Sequence, residues 1–173
     1  LAGCGNKGPV RPRQKMLPEA VKAAKLLQRG AEFQLQWKMP QRNQDGSTLS
    51  NLNAVQVSRL FSSKGEFCAE CPDPWPRIAL VHTELPAPAQ HIGDLFLLSD
   101  QGAKLGQTAR YRLQAINHQG DLGLLLTLKQ RFRKPVSAPK GLSALAHDKS
   151  VELHWQPAAI PAGAALVGYQ IYR

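Results

Sequence analysis

The chain has 173 residues, 43% of them hydrophobic and 20% charged; 22 Lys and Arg against 12 Asp and Glu leave a formal charge of +10. An apolar share near the globular average excludes a chain disordered throughout, no run approaches the roughly 18 apolar residues of a membrane-spanning helix, and 13 scattered prolines exclude long helices, because each removes a backbone donor and crowds the preceding turn. The cationic excess predicts attraction to anionic surfaces: acidic lipid, lipopolysaccharide phosphate, cell-wall polymer or nucleic acid.

The sequence opens Leu1-Ala2-Gly3-Cys4-Gly5. Small and apolar residues followed by cysteine resemble the end of a bacterial lipoprotein signal peptide. That resemblance implies cleavage before Cys4, diacylation of its sulfur and acylation of its new amino group. The basic and apolar stretches that precede such a motif are missing, so the sequence is expected to begin inside the signal peptide. More than one acyl chain makes membrane residence stable, at about 0.8 kcal/mol per buried CH₂. Gly5, standing where an aspartate commonly marks inner-membrane retention, implies the periplasmic face of the outer membrane.

Residues 5–15 are rich in Gly and Pro and have no apolar period, which predicts a tether. Lys7, Arg11, Arg13 and Lys15 lie beside the expected lipid. Against an anionic bilayer each adds about 1 kcal/mol; the alternative is a merely solvated linker. Cys4-Gly5-Asn6-Lys7-Gly8-Pro9 also resembles the start of small lipoproteins that help mature the lipopolysaccharide translocon. Many lipoproteins with unrelated bodies share that start.

The body contains a repeat. Phe33-Gln34-Leu35-Gln36-Trp37-Lys38-Met39-Pro40 and Val151-Glu152-Leu153-His154-Trp155-Gln156-Pro157 each alternate apolar and polar and end in Trp and Pro. Period two places Phe33, Leu35 and Trp37 on one face of a strand, and Val151, Leu153 and Trp155 on another. A proline-led strand precedes each copy, at 18–27 and 139–146. A second strand ending in arginine follows each, Val55 to Arg59 and Tyr169 to Arg173, and Asp45-Gly46 signals a turn in the first connecting loop. Further strands are expected at 95–99 and 122–128.

Proline, Leu-x-Trp-x-x-Pro and Gly-Tyr-x-Ile-Tyr-Arg in this order resemble strands A, B and C of a fibronectin type III domain. Residues 106–120 resemble that family's E–F corner, strand F and F–G turn. The resemblance implies an all-β chain: an immunoglobulin-like β-sandwich over 18–135, interrupted by a long insertion at about 62–92, then strands A to C of a second copy over 138–173. The family's corner tyrosine falls at Ala109, and Tyr111 stands two residues later, so the usual corner hydrogen bond is not assured. The tryptophans, Tyr111 and Tyr169 are expected to pack in cores. Residues 131–135 form a basic linker between the copies. About 36 residues cannot complete a two-sheet sandwich, so 138–173 is expected to belong to a longer protein or to borrow partners.

Cys68-Ala69-Glu70-Cys71 lies in the insertion. A c-type haem needs histidine at position 72, which is proline. Zinc needs two further ligands, and His82 and His91 are separated by no recognised spacing. A thioredoxin-type pair sits at a helix N-terminus in a βαβ unit, not a proline-rich loop. A local disulfide between Cys68 and Cys71 is the plainest reading, with Cys4 reserved for lipid. Trp75 among prolines is a candidate contact for a protein or envelope-polymer partner; the alternative packs this loop on its own domain. His82, His91, His118, His147 and His154 are scattered, and no motif names a nucleophile, cofactor or metal site.

The expected function is therefore non-enzymatic: a binding or scaffolding module held at the membrane by lipid. Two alternatives are an assembly factor for outer-membrane machinery acting through residues 4–9, and an accessory module of a larger polysaccharide-active enzyme. Nucleic acid is not expected as a partner, because there is neither a recognition helix nor a row of stacking aromatics on a sheet.

Overall fold

The computed structural model describes residues 15–65, 75–163 and 165–171. Those residues are all-β, with ten strands and no helix. Cys4, Lys7, Arg11, Arg13, Cys68 and Cys71 lie outside them.

The first eight strands are β1 (Lys22–Arg29), β2 (Glu32–Lys38), β3 (Leu52–Ser62), β4 (Arg77–His82), β5 (Gln90–Ile92), β6 (Leu95–Asp100), β7 (Thr108–Asn117) and β8 (Leu122–Arg131). They form two antiparallel four-stranded sheets, ordered β1-β2-β6-β5 and β4-β3-β7-β8. Strict alternation decides which side chains meet between the sheets. Phe33, Leu35 and Trp37 of β2 face Val55 and Val57 of β3 and Tyr111 and Leu113 of β7, all fully buried. Phe33 meets Tyr111 and Phe132 edge-on, at centroid distances of 6.1 and 5.3 Å, and Trp37 stacks on Phe96 at 6.1 Å. The two sheets and their shared core are a β-sandwich arrangement.

Three features differ from the sequence reading. The segment 62–92 is not an irregular insertion throughout: it supplies β4, which lengthens one sheet, and β5, which edges the other. The strand expected over 18–27 starts at Lys22, because Pro18 instead lies buried against the loop after β2, bridging Asn43. Residues 131–135 are not wholly a linker, since Arg131 closes β8 and Phe132 is buried in the core.

The second copy forms one hairpin, β9 (Lys140–His147) with β10 (Ser150–Gln156), paired only with each other. Residues 165–171 form no strand, so the third strand expected from Tyr169 onward is absent among the described residues. Among the described residues no strand is paired with this segment; the Tyr169 hydroxyl accepts a hydrogen bond from Ala158 N at 2.8 Å. Nor do Trp155 and Tyr169 sit in a core. They meet edge-on at 5.4 Å on a ribbon whose Leu145 and Val151 are more than half exposed.

Candidate functional site

The segment leading into β1 is fastened to one end of the sandwich. Lys15 Nζ pairs with Asp121 Oδ1 at 2.6 Å, and Asn117 Nδ2 donates to Met16 O at 3.5 Å. Pro18 O accepts from Leu124 N at 3.0 Å and from Gln44 Nε2 at 3.2 Å. Asn117 holds the β7–β8 turn that receives this segment: its Oδ1 accepts from the backbone N–H groups of Gln119 and Asp121. Lys15, expected in a loose tether, is thus tied to the end of the sandwich made by the β7–β8 turn. The hydrogen bond from Lys15 also holds the Asp121 carboxyl below its ordinary pKa, against a smaller opposing effect of burial.

A cleft of about 610 Å³ lies between the start of β1, the end of β2 and the β5–β6 turn. Its charges are largely spent on one another: Lys22 pairs with Glu19 and Lys38 with Asp94, while His91 stacks on Phe96 at 4.3 Å. It offers a ligand little uncompensated charge.

Strands β3, β4, β7 and β8 contain no Asp or Glu, yet they carry Arg59, Arg77, Arg110, Arg112, Lys129 and Arg131. Arg59 points inward and is bonded to Asp100 between the sheets. The other five share the outer face. The register sets Arg77 opposite Ser58 and Ser58 opposite Arg112, Arg110 opposite Lys129, and Arg131 opposite Thr108, so the cations occupy three successive rows. Like charges directly opposite in a ladder are unfavourable, and Arg110 and Lys129 are such a pair.

Trp75 lies on this face. The Arg112 guanidinium carbon is 3.7 Å from the Trp75 ring centroid and that of Arg110 is 5.7 Å away, both within cation–π range. Arg112 Nε is buried and has no hydrogen-bond partner. Burial, and secondarily the charge of Arg110, pull Arg112 below the ordinary arginine pKa. Beside it runs a groove of about 130 Å³ lined by Gln56, Ser58, Trp75, Arg112, Gln114 and Leu125. Gln114 Nε2 donates to Gly123 O at 2.8 Å.

Trp75, singled out for its neighbouring prolines, is therefore half-buried over arginine rather than in the hydrophobic core. Apart from Arg131, assigned to the basic linker, the sequence reading gives these cations no role. The Arg110-x-Arg112 spacing was readable in the strand pattern, but nothing local aligns it with Lys129 and Arg77.

Among the described residues no group of three or more His, Cys, Asp and Glu is placed to hold a metal ion. His154 is on the solvent side of β10, with Nε2 3.1 Å from Glu152 Oε1, and His147 approaches the other oxygen of the same carboxylate at 3.3 Å. No protein-family model matches the chain and no curated protein matches it.

Proposed function

We propose that this is a non-enzymatic lipid-anchored protein of the bacterial envelope, in which a fibronectin type III-like sandwich is held on the periplasmic face of the outer membrane as a binding or scaffolding module. Lipidation is assigned to Cys4 on the strength of Leu1-Ala2-Gly3-Cys4. The sandwich type is supported by the strand order, in which β1, β2, β6 and β5 stand as A, B, E and D against β4, β3, β7 and β8 as C′, C, F and G.

The observation that carries the tethering role is the fastening of Lys15 and Pro18 to the end of the sandwich bearing the β7–β8 turn. From Cys4 to Lys15 the chain reaches no more than about 40 Å when fully extended. Acyl chains on Cys4 therefore keep the sandwich within about 40 Å of the bilayer. Confinement of this kind raises the local concentration of whatever the module binds. Lys7, Arg11 and Arg13 add electrostatic adhesion to anionic lipid, and a Cys68–Cys71 disulfide braces the loop before Trp75.

The test is metabolic labelling of cells expressing the complete reading frame with an alkyne-bearing palmitate analogue, followed by membrane fractionation. Label on the wild-type chain in the outer-membrane fraction, and its loss in Cys4→Ser, is the expected result. An unlabelled wild-type chain in the soluble fraction overturns the proposal.

A further inference from the structure

We propose that the cleft between the finish of β8 and the loop after β10 is a binding site for an amphiphilic anion, a carboxylate or phosphate headgroup carried on an apolar chain.

The cleft measures about 510 Å³, a size that small organic ligands fill, and it lies where the sandwich meets the hairpin segment, the kind of junction at which such sites concentrate. Hydrogen bonds hold both of its walls. On the sandwich side, Phe132 N donates to Gln107 O at 2.7 Å and Gly106 N donates to Phe132 O at 3.0 Å, while the Phe132 side chain is buried in the core. Gln28 fixes the next residue: its Oε1 accepts from Arg133 N at 3.0 Å and its Nε2 donates to Arg133 O at 2.8 Å. On the other side, Ala159 N donates to Ser137 Oγ at 3.1 Å and ties the loop that bears Pro161 and Ala162 to the segment following β8.

The lining argues for an acidic headgroup. Arg131, Arg133 and Lys134 line the cleft, and among the described residues that do so there is no Asp or Glu. The cleft beside β1 differs, since there Lys22 and Lys38 are paired with Glu19 and Asp94. A guanidinium takes a carboxylate or a phosphate through two parallel hydrogen bonds.

The rest of the lining argues for an apolar body. Leu105 is 65% exposed and Val136 49% exposed, so each leaves apolar surface for a ligand to cover, and Pro161 and Ala162 extend that surface. The lining contains no neutral hydrogen-bonding side chain. The hydroxyls of a sugar or the base edges of a nucleotide would therefore find no side-chain partner, whereas an alkyl chain needs none.

The experiment titrates the full chain carrying Cys4→Ser by calorimetry with octanoate, octyl phosphate, neutral octanol and inorganic phosphate. The expected result is that octanoate or octyl phosphate binds about tenfold or more tightly than octanol and than inorganic phosphate; the tighter of the two anions identifies the headgroup. Arg131→Gln with Arg133→Gln weakens that anion about tenfold or more. Leu105→Ser and Val136→Ser each weaken it about threefold or more, and Val151→Ser, on the exposed hairpin, changes it by less than about twofold. Bound anion also slows trypsin cleavage after Arg133 and leaves cleavage after Lys149 unchanged. Octanol binding as tightly as the anions, inorganic phosphate binding as tightly as octyl phosphate, equal weakening by Val151→Ser, unchanged cleavage after Arg133, or no binding of either anion overturns the proposal. Every arm uses a chain without the acylation site, so the cleft and the anchor fail separately.

Discussion

Asp100 shows how one residue joins two sheets. It sits inward on β6, where Arg59 of β3 bonds to its Oδ1 and the Tyr111 hydroxyl of β7 donates to its Oδ2, while Gly102 N donates at 3.0 Å. Burial pushes the carboxyl pKa up, but these three donors outweigh it and hold the group below its ordinary value of 3.8. Burial and the Asp100 carboxylate push Tyr111 far up, so it remains a neutral donor. The Tyr111→Phe variant is expected to lose about 1–3 kcal/mol in urea unfolding, since a buried charge forfeits a partner while the ring still fills its place. A carboxyl with a depressed native pKa stabilises fully above its unfolded value and loses that stabilisation as pH falls through the native one. Wild-type stability should therefore drop below about pH 4. Asp100→Asn should be less stable at pH 7 and show a smaller loss between pH 5 and pH 3; an unchanged acid profile would show that Asp100 is not the titrating group.

At the scale of elements, the strands follow from alternation and the edges from what docks on them. Trp37 on β2 is fully buried between the sheets, and Trp37→Ala should cost about 3–5 kcal/mol. Gly123, near the start of β8, shows a constraint of a different kind. A Cβ there would lie 2.5 Å from Pro18 O and 2.8 Å from Pro18 Cβ, so only glycine lets the incoming segment bond to Leu124 N. Gly123→Ala should destabilise by about 1–3 kcal/mol through overpacking. It should also raise amide exchange at Leu124, as hydrogen-exchange mass spectrometry would show. The repeat ending in Trp and Pro was legible because both hairpin partners carry strong alternation, and β2 and β10 formed where it placed them. The pairing of β4 with β3 was not legible: Arg77–His82 is short, irregular in pattern and set among prolines, and it becomes a strand because β3 extends far enough to accept it.

At the scale of the whole molecule, the sandwich and the hairpin differ in what protects them. The sandwich shares one core that runs from Val21 to Phe132. The β9–β10 hairpin has both faces largely exposed, and two-stranded ribbons are marginal alone in water. Limited trypsin digestion should therefore cut first after Arg133, Lys140 and Lys149, leaving a resistant fragment ending at Arg133, as mass spectrometry would show. Early cleavage inside β3 or β7 would contradict this order.

The sequence by itself determined the alternating strands β2 and β10, the inward face of β2 and the Cys4 motif, because alternation at period two and a short run around one cysteine are local patterns that need no partner. It did not determine the cationic face. Arg77, Arg110, Arg112, Lys129 and Arg131 are spread over 55 positions of the chain, and only the antiparallel register, set by which apolar residues must meet between the sheets, gathers them on one surface. The same cause explains the Arg59–Asp100–Tyr111 contact and the role of Gly123: each exists where two distant segments are pressed together by the burial of a shared core.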